Sequence, residues 1–194
     1  MRSRFAVAAV AFAVLALVIA GCGGGGGGVT PAQATVRGTL LNDGTLAPVA
    51  GATVRVGSAS VQSDANGVFS IQAPTGSQMI MITATGFQQL QTNVSVQDGV
   101  NQIGTRYLQP TLLAGRGAVS GTVRRGGAAA GGATIRSGNA TGTSRADGTF
   151  SIYNLVAGSQ TLTAVSADGL ATGSATASVQ AGTKISGVTI SLGL

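Results

Sequence analysis

Apolar and polar residues alternate along most of the chain, in short stretches separated by Gly, Asn, Asp and Pro. A period of two places alternate side chains on one buried face of a β-strand. In the first half of the chain this pattern predicts strands at 35–41, 52–56, 60–63, 68–73, 78–85, 92–97 and 103–108. No stretch beyond residue 20 has the period of a helix. We therefore expect an all-β fold of antiparallel sandwiches.

One stretch of eight residues occurs twice and predicts the same local structure in both places. Residues 64–71 read DANGVFSI and residues 145–152 read RADGTFSI. Asn-Gly and Asp-Gly predict a tight hairpin turn, in which Gly67 and Gly148 supply backbone freedom that a Cβ would forbid. The alternation after each turn places Phe69 and Phe150 on the buried face. We expect them to be the largest core side chains of their domains, with a structural role.

Four further segments match between the two halves of the chain. The matching pairs are 36–39 with 119–122, 51–55 with 132–136, 76–78 with 158–160, and 95–99 with 178–182. The sequence therefore predicts two copies of one domain, at 34–109 and 117–194, joined by a linker at 110–116. We expect Leu112 and Leu113 of the linker to pack between the domains.

These motifs resemble the carboxypeptidase regulatory-like domain family, whose fold is a transthyretin-like Greek-key sandwich of about seven strands. The first copy carries V-x-G-x-L at 36–40, G-A-x-V at 51–54 and D-x-x-G-x-F-x-I at 64–71. The second copy departs from the family at Arg145, which stands where the family has Asp, so we expect it to lack a carboxylate that caps the turn. The resemblance implies two tandem seven-stranded Greek-key β-sandwich domains with an accessory, non-catalytic role.

The N-terminal residues have the composition of an export signal. Arg2 and Arg4 precede an apolar run at 5–20, which is shorter than the ~20 residues that a membrane-spanning helix needs. The run ends in Ile-Ala-Gly-Cys at 19–22, which resembles the lipobox of bacterial lipoproteins. The resemblance implies removal of a signal peptide, 1–21, and acylation of Cys22, the only cysteine, as a membrane anchor.

Residues 22–33 follow as a tether that contains six consecutive glycines at 23–28. Gly-rich segments of this kind behave as flexible linkers, which would hold a folded part away from the bilayer. By analogy with the sorting of enterobacterial lipoproteins, Gly23 favours the outer membrane. We therefore expect an exported, lipid-anchored protein of the bacterial cell envelope.

The composition removes several kinds of chemistry. The chain has no His and no Glu, which excludes His-based acid–base catalysis and His metal ligands. Of the five Asp residues, Asp43, Asp98 and Asp168 each precede a Gly in a predicted turn. Residues 64–67 resemble the start of a calcium loop, but the later acidic ligands are absent. We expect no enzyme activity, no metal site and no cofactor.

The charged residues limit which partners the chain can bind. The net charge of +6 is spread along the chain rather than gathered in a basic stripe, which argues against nucleic-acid binding. Lys184, the only lysine, fits a solvent-facing strand-edge position that discourages edge pairing; the other role left open is an isopeptide bond to Asn or Asp, as in some surface adhesins.

The sequence favours a non-catalytic module that contacts another envelope protein. The alternative is a carbohydrate-binding or adhesin-type surface module. Such a site would need exposed aromatic side chains, and Tyr107 and Tyr153 are the remaining candidates once Phe69 and Phe150 are assigned to the cores.

Overall fold

The computed structural model describes residues 32–193, which form fifteen β-strands and contain no helix. The predicted all-β fold class is confirmed. The predicted signal peptide at 1–21, the lipidation site Cys22 and nearly all of the tether lie outside the described residues. Within the described range, no helix has the length and apolar character needed to cross a membrane.

The first repeat contains seven strands, each within a few residues of its predicted position. They are β1 (Gln33–Asn42), β2 (Thr53–Val56), β3 (Ala59–Gln62), β4 (Val68–Pro74), β5 (Gly76–Thr83), β6 (Leu90–Val96) and β7 (Val100–Leu108). They form a three-stranded sheet of order β4-β1-β7 and a four-stranded sheet of order β3-β2-β5-β6. A single hydrophobic cluster joins residues from both sheets.

The second repeat has eight strands rather than the predicted seven. They are β8 (Arg116–Arg125), β9 (Ala128–Ala129), β10 (Thr134–Ser137), β11 (Ala140–Thr143), β12 (Thr149–Val156), β13 (Gly158–Val165), β14 (Thr172–Val179) and β15 (Lys184–Leu192). The additional strand is β9, a two-residue extension that pairs with the end of β8. The sheet orders, β12-β8-β15 and β11-β10-β13-β14, repeat those of the first half, and a second hydrophobic cluster lies between them.

The first and last strands of each repeat pair in parallel, which corrects the expectation of purely antiparallel sheets. β1 pairs with β7 and β8 pairs with β15 in this way. A parallel pair cannot be joined by a tight turn, so the chain crosses to the other sheet before it returns. The register shifts near Gly38 and Gly121, and a Cβ on Gly121 would lie 1.8 Å from the carbonyl oxygen of Val188. This close approach explains the Gly of the V-x-G motif.

The repeated turn is a corner between sheets, not the predicted hairpin within one sheet. In the first repeat it joins β3 to β4, which belong to different sheets. The Gly67 N–H donates to the carbonyl oxygen of Asp64 at 2.9 Å, and Gly67 has a φ of +73°. The second copy has the same bond from Gly148 to Arg145, at 2.8 Å. A turn signal is local and does not specify which sheet receives the next strand.

Phe69 and Phe150 are the largest fully buried side chains of their respective clusters. They are 2% and 1% exposed, and each follows its corner turn by two residues. A buried serine precedes each turn: the Ser63 hydroxyl donates to Val49 O at 2.7 Å, and the Ser144 hydroxyl donates to Ala130 O at 2.7 Å. Each corner is therefore fixed on both sides before the Phe strand begins.

We expect Gly67→Ala to destabilise the protein far more than Gly57→Ala. Both glycines have positive φ, but a Cβ on Gly67 would lie 2.3 Å from Leu40 O, whereas nothing lies within 4 Å of one on Gly57. Backbone strain alone costs about 1–2 kcal/mol. The collision at Gly67 should raise the loss to about 3 kcal/mol or more, because the backbone must move. Urea unfolding of both variants measures the difference, and equal losses would show that the close approach is unimportant.

Candidate functional site

The strongest candidate for a functional site is a polar cluster between the two repeats, centred on Asp43. This residue directly follows β1, and its N–H donates to Leu108 O at the end of β7, at 2.9 Å. The preceding Asn42 side chain accepts bonds from the N–H groups of Gly44 and Thr45, at 2.8 and 3.1 Å. These bonds fix the turn, and the Asp43 side chain is only 7% exposed.

Three side chains of the second repeat bind the Asp43 carboxylate. Arg145, in the corner turn before β12, donates to Oδ1 through Nη2. The hydroxyl of Tyr153, in β12, donates to Oδ2. Lys184, the first residue of β15, donates from Nζ to the same Oδ2 and to the Tyr153 oxygen, both at 2.9 Å. A carboxylate of one repeat is therefore bound by a guanidinium, a phenol and an ammonium of the other.

The surroundings of Asp43 keep its carboxyl ionised. Burial by itself would raise the pKa of Asp43, but hydrogen bonds from Tyr153 and Lys184 and the charges of Lys184 and Arg145 outweigh it and lower the pKa below its ordinary value of 3.8. For Tyr153, burial together with the hydrogen bond and charge of Asp43 raises the pKa of the phenol. Tyr153 therefore remains a proton donor to an ionised Asp43.

Further contacts support the cluster from both repeats. The Arg145 guanidinium lies over the ring of Tyr107, 4.1 Å from its centroid, and donates to the Thr149 hydroxyl at 3.2 Å. The Nε of Arg145 is buried without a hydrogen-bond partner. The backbone also crosses the junction, because the Thr143 N–H donates to Gly44 O at 2.8 Å. This bond gives a hydrogen-bond partner to a backbone N–H of β11, an edge strand of the second repeat.

The linker makes its own contacts with β12. The Leu113 N–H donates to Asn154 Oδ1 at 2.9 Å, and the Arg116 side chain donates to Asn154 O at 3.2 Å. Asn154 has a φ of +61° and lies where the pairing of β12 with β8 shifts register. Of the two leucines expected to pack between the repeats, Leu113 does not, since it is 62% exposed, and Leu112 is half-buried. The linker is held through polar atoms instead.

The second corner turn does have a capping carboxylate, contrary to the sequence prediction. In the first repeat, Asp64 Oδ1 accepts from the N–H groups of Asn66 and Val68. In the second repeat, Asp147 takes this role and accepts from the N–H of Thr149 at 2.9 Å. Asp147 occupies the position of Asn66, so the cap has moved two residues along the turn. This relocation leaves the side chain of Arg145 free to bind Asp43.

The structure changes the interpretation of Lys184. Lys184 does begin an edge strand, β15, but its side chain is 28% exposed and bonds to Asp43 rather than facing solvent alone as we expected. The other role left open was an amide bond to Asp or Asn; with Asp43 it would require a neutral amine and a protonated carboxyl, with loss of water. Because Asp43 is ionised and also bound by Arg145, the geometry fits an ion pair.

None of the predicted site residues in the described range binds Asp43, although Gly148 shares the corner turn of Arg145 and Phe150 lies beside the cluster. Gly67 and Phe69 lie in and after the corner of the first repeat, and Gly148 and Phe150 hold the same places in the second, while Cys22 lies outside the described residues. Within the described range, no three His, Cys, Asp or Glu side chains come together as a metal site would require.

Asp43 does not stand out in the sequence as a functional residue, because Asp-Gly is a common turn pair. A signal was nevertheless present in the comparison of the two copies. Arg145 replaces Asp64, and Tyr153 replaces Gln72 at the same spacing. Lys184 takes the place of Val100, because Lys184 pairs with Ala118 of β8 just as Val100 pairs with the equivalent Thr35 of β1. Each residue of the second repeat that binds Asp43 is thus a departure from the first repeat.

The described residues define an all-β protein of sandwich-like sheets with a polar cluster between its repeats. Residues 35–105, most of the first repeat, match the carboxypeptidase regulatory-like domain family. No curated protein matches the chain.

Solved structures that match this chain include a cohesin–X–dockerin complex and two pilins. A chain of the type II cohesin–X–dockerin complex of Acetivibrio cellulolyticus is 26% identical over 37% of this chain and 52% of its own, with a TM-score of 0.33. The streptococcal ancillary pilin is 16% identical over 83% of this chain and 62% of its own, with a TM-score of 0.35. The minor pilin of Streptococcus agalactiae is 10% identical over 83% and 95%, with a TM-score of 0.31. This chain spans about half the length of the Acetivibrio cellulolyticus chain. TM-scores this low support no inference about function.

We expect Asp43→Asn to destabilise the protein by about 1–3 kcal/mol at neutral pH, because Arg145 and Lys184 lose their shared carboxylate. The folded pKa of Asp43 lies below 3.8, so its stabilisation is complete above about pH 4 and is lost as the pH falls through the lower folded pKa. The difference between wild type and variant should therefore shrink in acid, which urea unfolding from neutral pH to about pH 2 measures.

The matched control is Asp98→Asn, which removes one carboxylate from an exposed turn before β7. It should leave the stability at neutral pH nearly unchanged. If the difference in unfolding free energy between the wild type and Asp43→Asn stayed constant down to the lowest pH, it would contradict an ionised, paired Asp43.

Proposed function

We propose that this chain is a non-catalytic, lipid-anchored protein of the bacterial cell envelope that acts as a structural or protein-interaction module. The observation that carries the proposal is the binding of Asp43 by Arg145, Tyr153 and Lys184 of the other repeat. These are the side chains that acid–base or nucleophilic chemistry would need, and here they join two sandwiches. A module that presents two sheets in a fixed arrangement is suited to contacts with another envelope protein.

The state of the carboxylates supports a non-catalytic role. A hydrolase needs a proton carrier poised near neutral pH or a metal that activates water. The chain has no His or Glu, and four of its five Asp residues bind donors: Asp43 in the junction, Asp64 and Asp147 as turn caps, and Asp168 through Arg125 and Ser166. The ionisable groups of Lys184 and Tyr153, which meet Asp43, are themselves bonded to it and to each other.

The domain organisation is part of the proposal. We propose a first domain at 34–109, a linker at 110–116 and a second domain at 117–194. Two separate hydrophobic clusters and the repeated sheet orders support these boundaries. If the domains are separate folding units joined by the cluster, each should melt in its own transition. In calorimetry the two transitions should lie further apart in Asp43→Asn than in the wild type.

Export and anchoring rest on the sequence alone. The leader at 1–21, the lipobox that ends in Cys22, and the Gly-rich tether at 22–33 favour a protein held at a membrane with its sandwiches displaced from the bilayer. Gly23 favours the outer membrane by analogy. No nucleic acid, metal or cofactor is part of the proposal.

The carbohydrate alternative has lost support from both of its candidate aromatics. Tyr153 is 8% exposed and donates to Asp43, and Tyr107 lies beneath the Arg145 guanidinium. A sugar platform needs an aromatic face open to solvent. We therefore place protein contact ahead of glycan binding.

We expect the membrane-extracted protein to begin at an acylated Cys22. Intact-mass and peptide mass spectrometry of the full chain measure this, with Cys22→Ser as the control that should accumulate unprocessed. The same spectra should show no peptide pair in which Lys184 and Asp43 are joined by an amide bond, which would form with loss of one water. An unmodified chain that starts at another residue would contradict the anchor, and an amide-linked peptide pair would replace the ion pair.

We expect the full chain to show no binding on a glycan array and no activity in a panel of esterase, protease and glycosidase assays. In cross-linked membranes it should recover a defined envelope protein, less efficiently with Asp43→Asn than with Asp98→Asn, because only the former loosens the two-repeat arrangement. Reproducible glycan binding that Tyr107→Ala or Tyr153→Ala abolishes would overturn this proposal in favour of the carbohydrate alternative.

A further inference from the structure

The four-stranded sheet of the first repeat ends in an open edge strand, β6. Its sequence, LQTNVSV, has no charged residue and no proline, and β6 pairs only with β5. Gln91, Asn93 and Ser95 are exposed on one face, while Leu90 and Val94 are half-buried against the core. Natural edge strands are usually short, charged, bulged or covered, because an open edge pairs with other strands. β6 has none of these protections.

The equivalent strand of the second repeat, β14, is held against β15 at its first two residues. Thr172 exchanges two backbone hydrogen bonds with Gly193, each at 2.9 Å, and a Cβ on Gly173 would lie 2.2 Å from the carbonyl oxygen of Ser191 in β15. In the first repeat the corresponding bonds fall before β6: the Gln88 N–H donates to Gln109 O at 2.8 Å, and the Thr111 N–H donates to Gly86 O at 2.9 Å. β14 is therefore held against β15 at its first residues, whereas β6 itself, among the described residues, has no backbone bond to the other sheet.

The side chains at the two edges differ accordingly. By strand register, Leu90 and Val94 of β6 take the places of Gly173 and Ala177 of β14. Small residues let β14 approach β15 closely. The larger apolar side chains of β6 remain half-exposed, and an additional strand would bury them.

We propose that β6 pairs with β6 of a second copy of this chain, antiparallel about a two-fold axis at Asn93. In this register Leu90 lies opposite Val96 and Thr92 lies opposite Val94 on the core side. Gln91 lies opposite Ser95 on the outer side, and the two Asn93 side chains face each other. Because β6 has no charge, pairing it with itself opposes no like charges.

The pairing joins the two four-stranded sheets into one continuous sheet across a two-fold interface, in which the same residues serve both copies. It goes beyond the proposed function and does not depend on it, since neither Cys22 nor another envelope protein takes part.

The test is the self-association of the full chain in excess detergent, measured by sedimentation velocity over a range of protein concentrations. Asn93 is exposed, so Asn93→Lys and Asn93→Asp should leave the melting of the protein unchanged. Each should raise the dimer dissociation constant about tenfold or more, because like charges meet at the axis. An equimolar mixture of the two variants should restore association to near the wild-type level.

The matched control is Thr176→Lys, which adds the same charge at the equivalent exposed position of β14. It should leave the dissociation constant unchanged. Failure of the mixture to restore association, a dimer that Asn93→Lys does not weaken, or a monomer at all concentrations up to about 1 mM would each overturn the proposal. The last two results would leave another surface, or an extended segment of a different protein, as the occupant of the edge.

Discussion

The arrangement of the two repeats depends on a carboxylate that is buried where they meet. An ionised carboxylate away from water is costly unless it is paired and hydrogen-bonded. Asp43 meets that requirement only with Arg145, Tyr153 and Lys184 all in place, so its burial selects one placement of the second repeat against the first. Ion pairs of this kind contribute little net stability compared with apolar packing, but a wrong arrangement would leave the charge unpaired. The cluster therefore acts mainly on specificity.

The internal duplication shows how such a junction can arise on one fold. Both repeats keep the features that form a sandwich: the corner Gly, the buried Phe and the serine before the turn. The junction uses positions at which the copies differ. Arg145 replaces the Asp that caps the first corner, which is tolerated because Asp147 supplies the cap from a neighbouring position. A local compensation thus freed a cation for a contact more than a hundred residues away.

The strands were predictable from sequence, and the junction was not, for a physical reason. Alternation and turn residues such as Asn66-Gly67 act within a few residues, so they locate strands well. They do not specify which sheet a strand joins, as the corner at Gly67 and the parallel pairing of β1 with β7 show. The Asp43 cluster depends on side chains far apart in the chain. Asp43 alone reads as a turn residue, and only the mismatches between repeats point to its partners.

The same mismatches make the two repeats unequal in what they offer to other molecules. The second repeat has its three-stranded sheet partly covered by the first, with Ser151 2% exposed, and the start of its β14 strand is bonded to Gly193 after β15. The first repeat has exposed residues on the matching sheet, where Arg37 bonds only to the neighbouring Ser70, and its β6 edge is open. An open edge is where another chain can add a strand, and an uncovered sheet face is available for side-chain contacts. Contacts with other chains should therefore be concentrated on the first repeat.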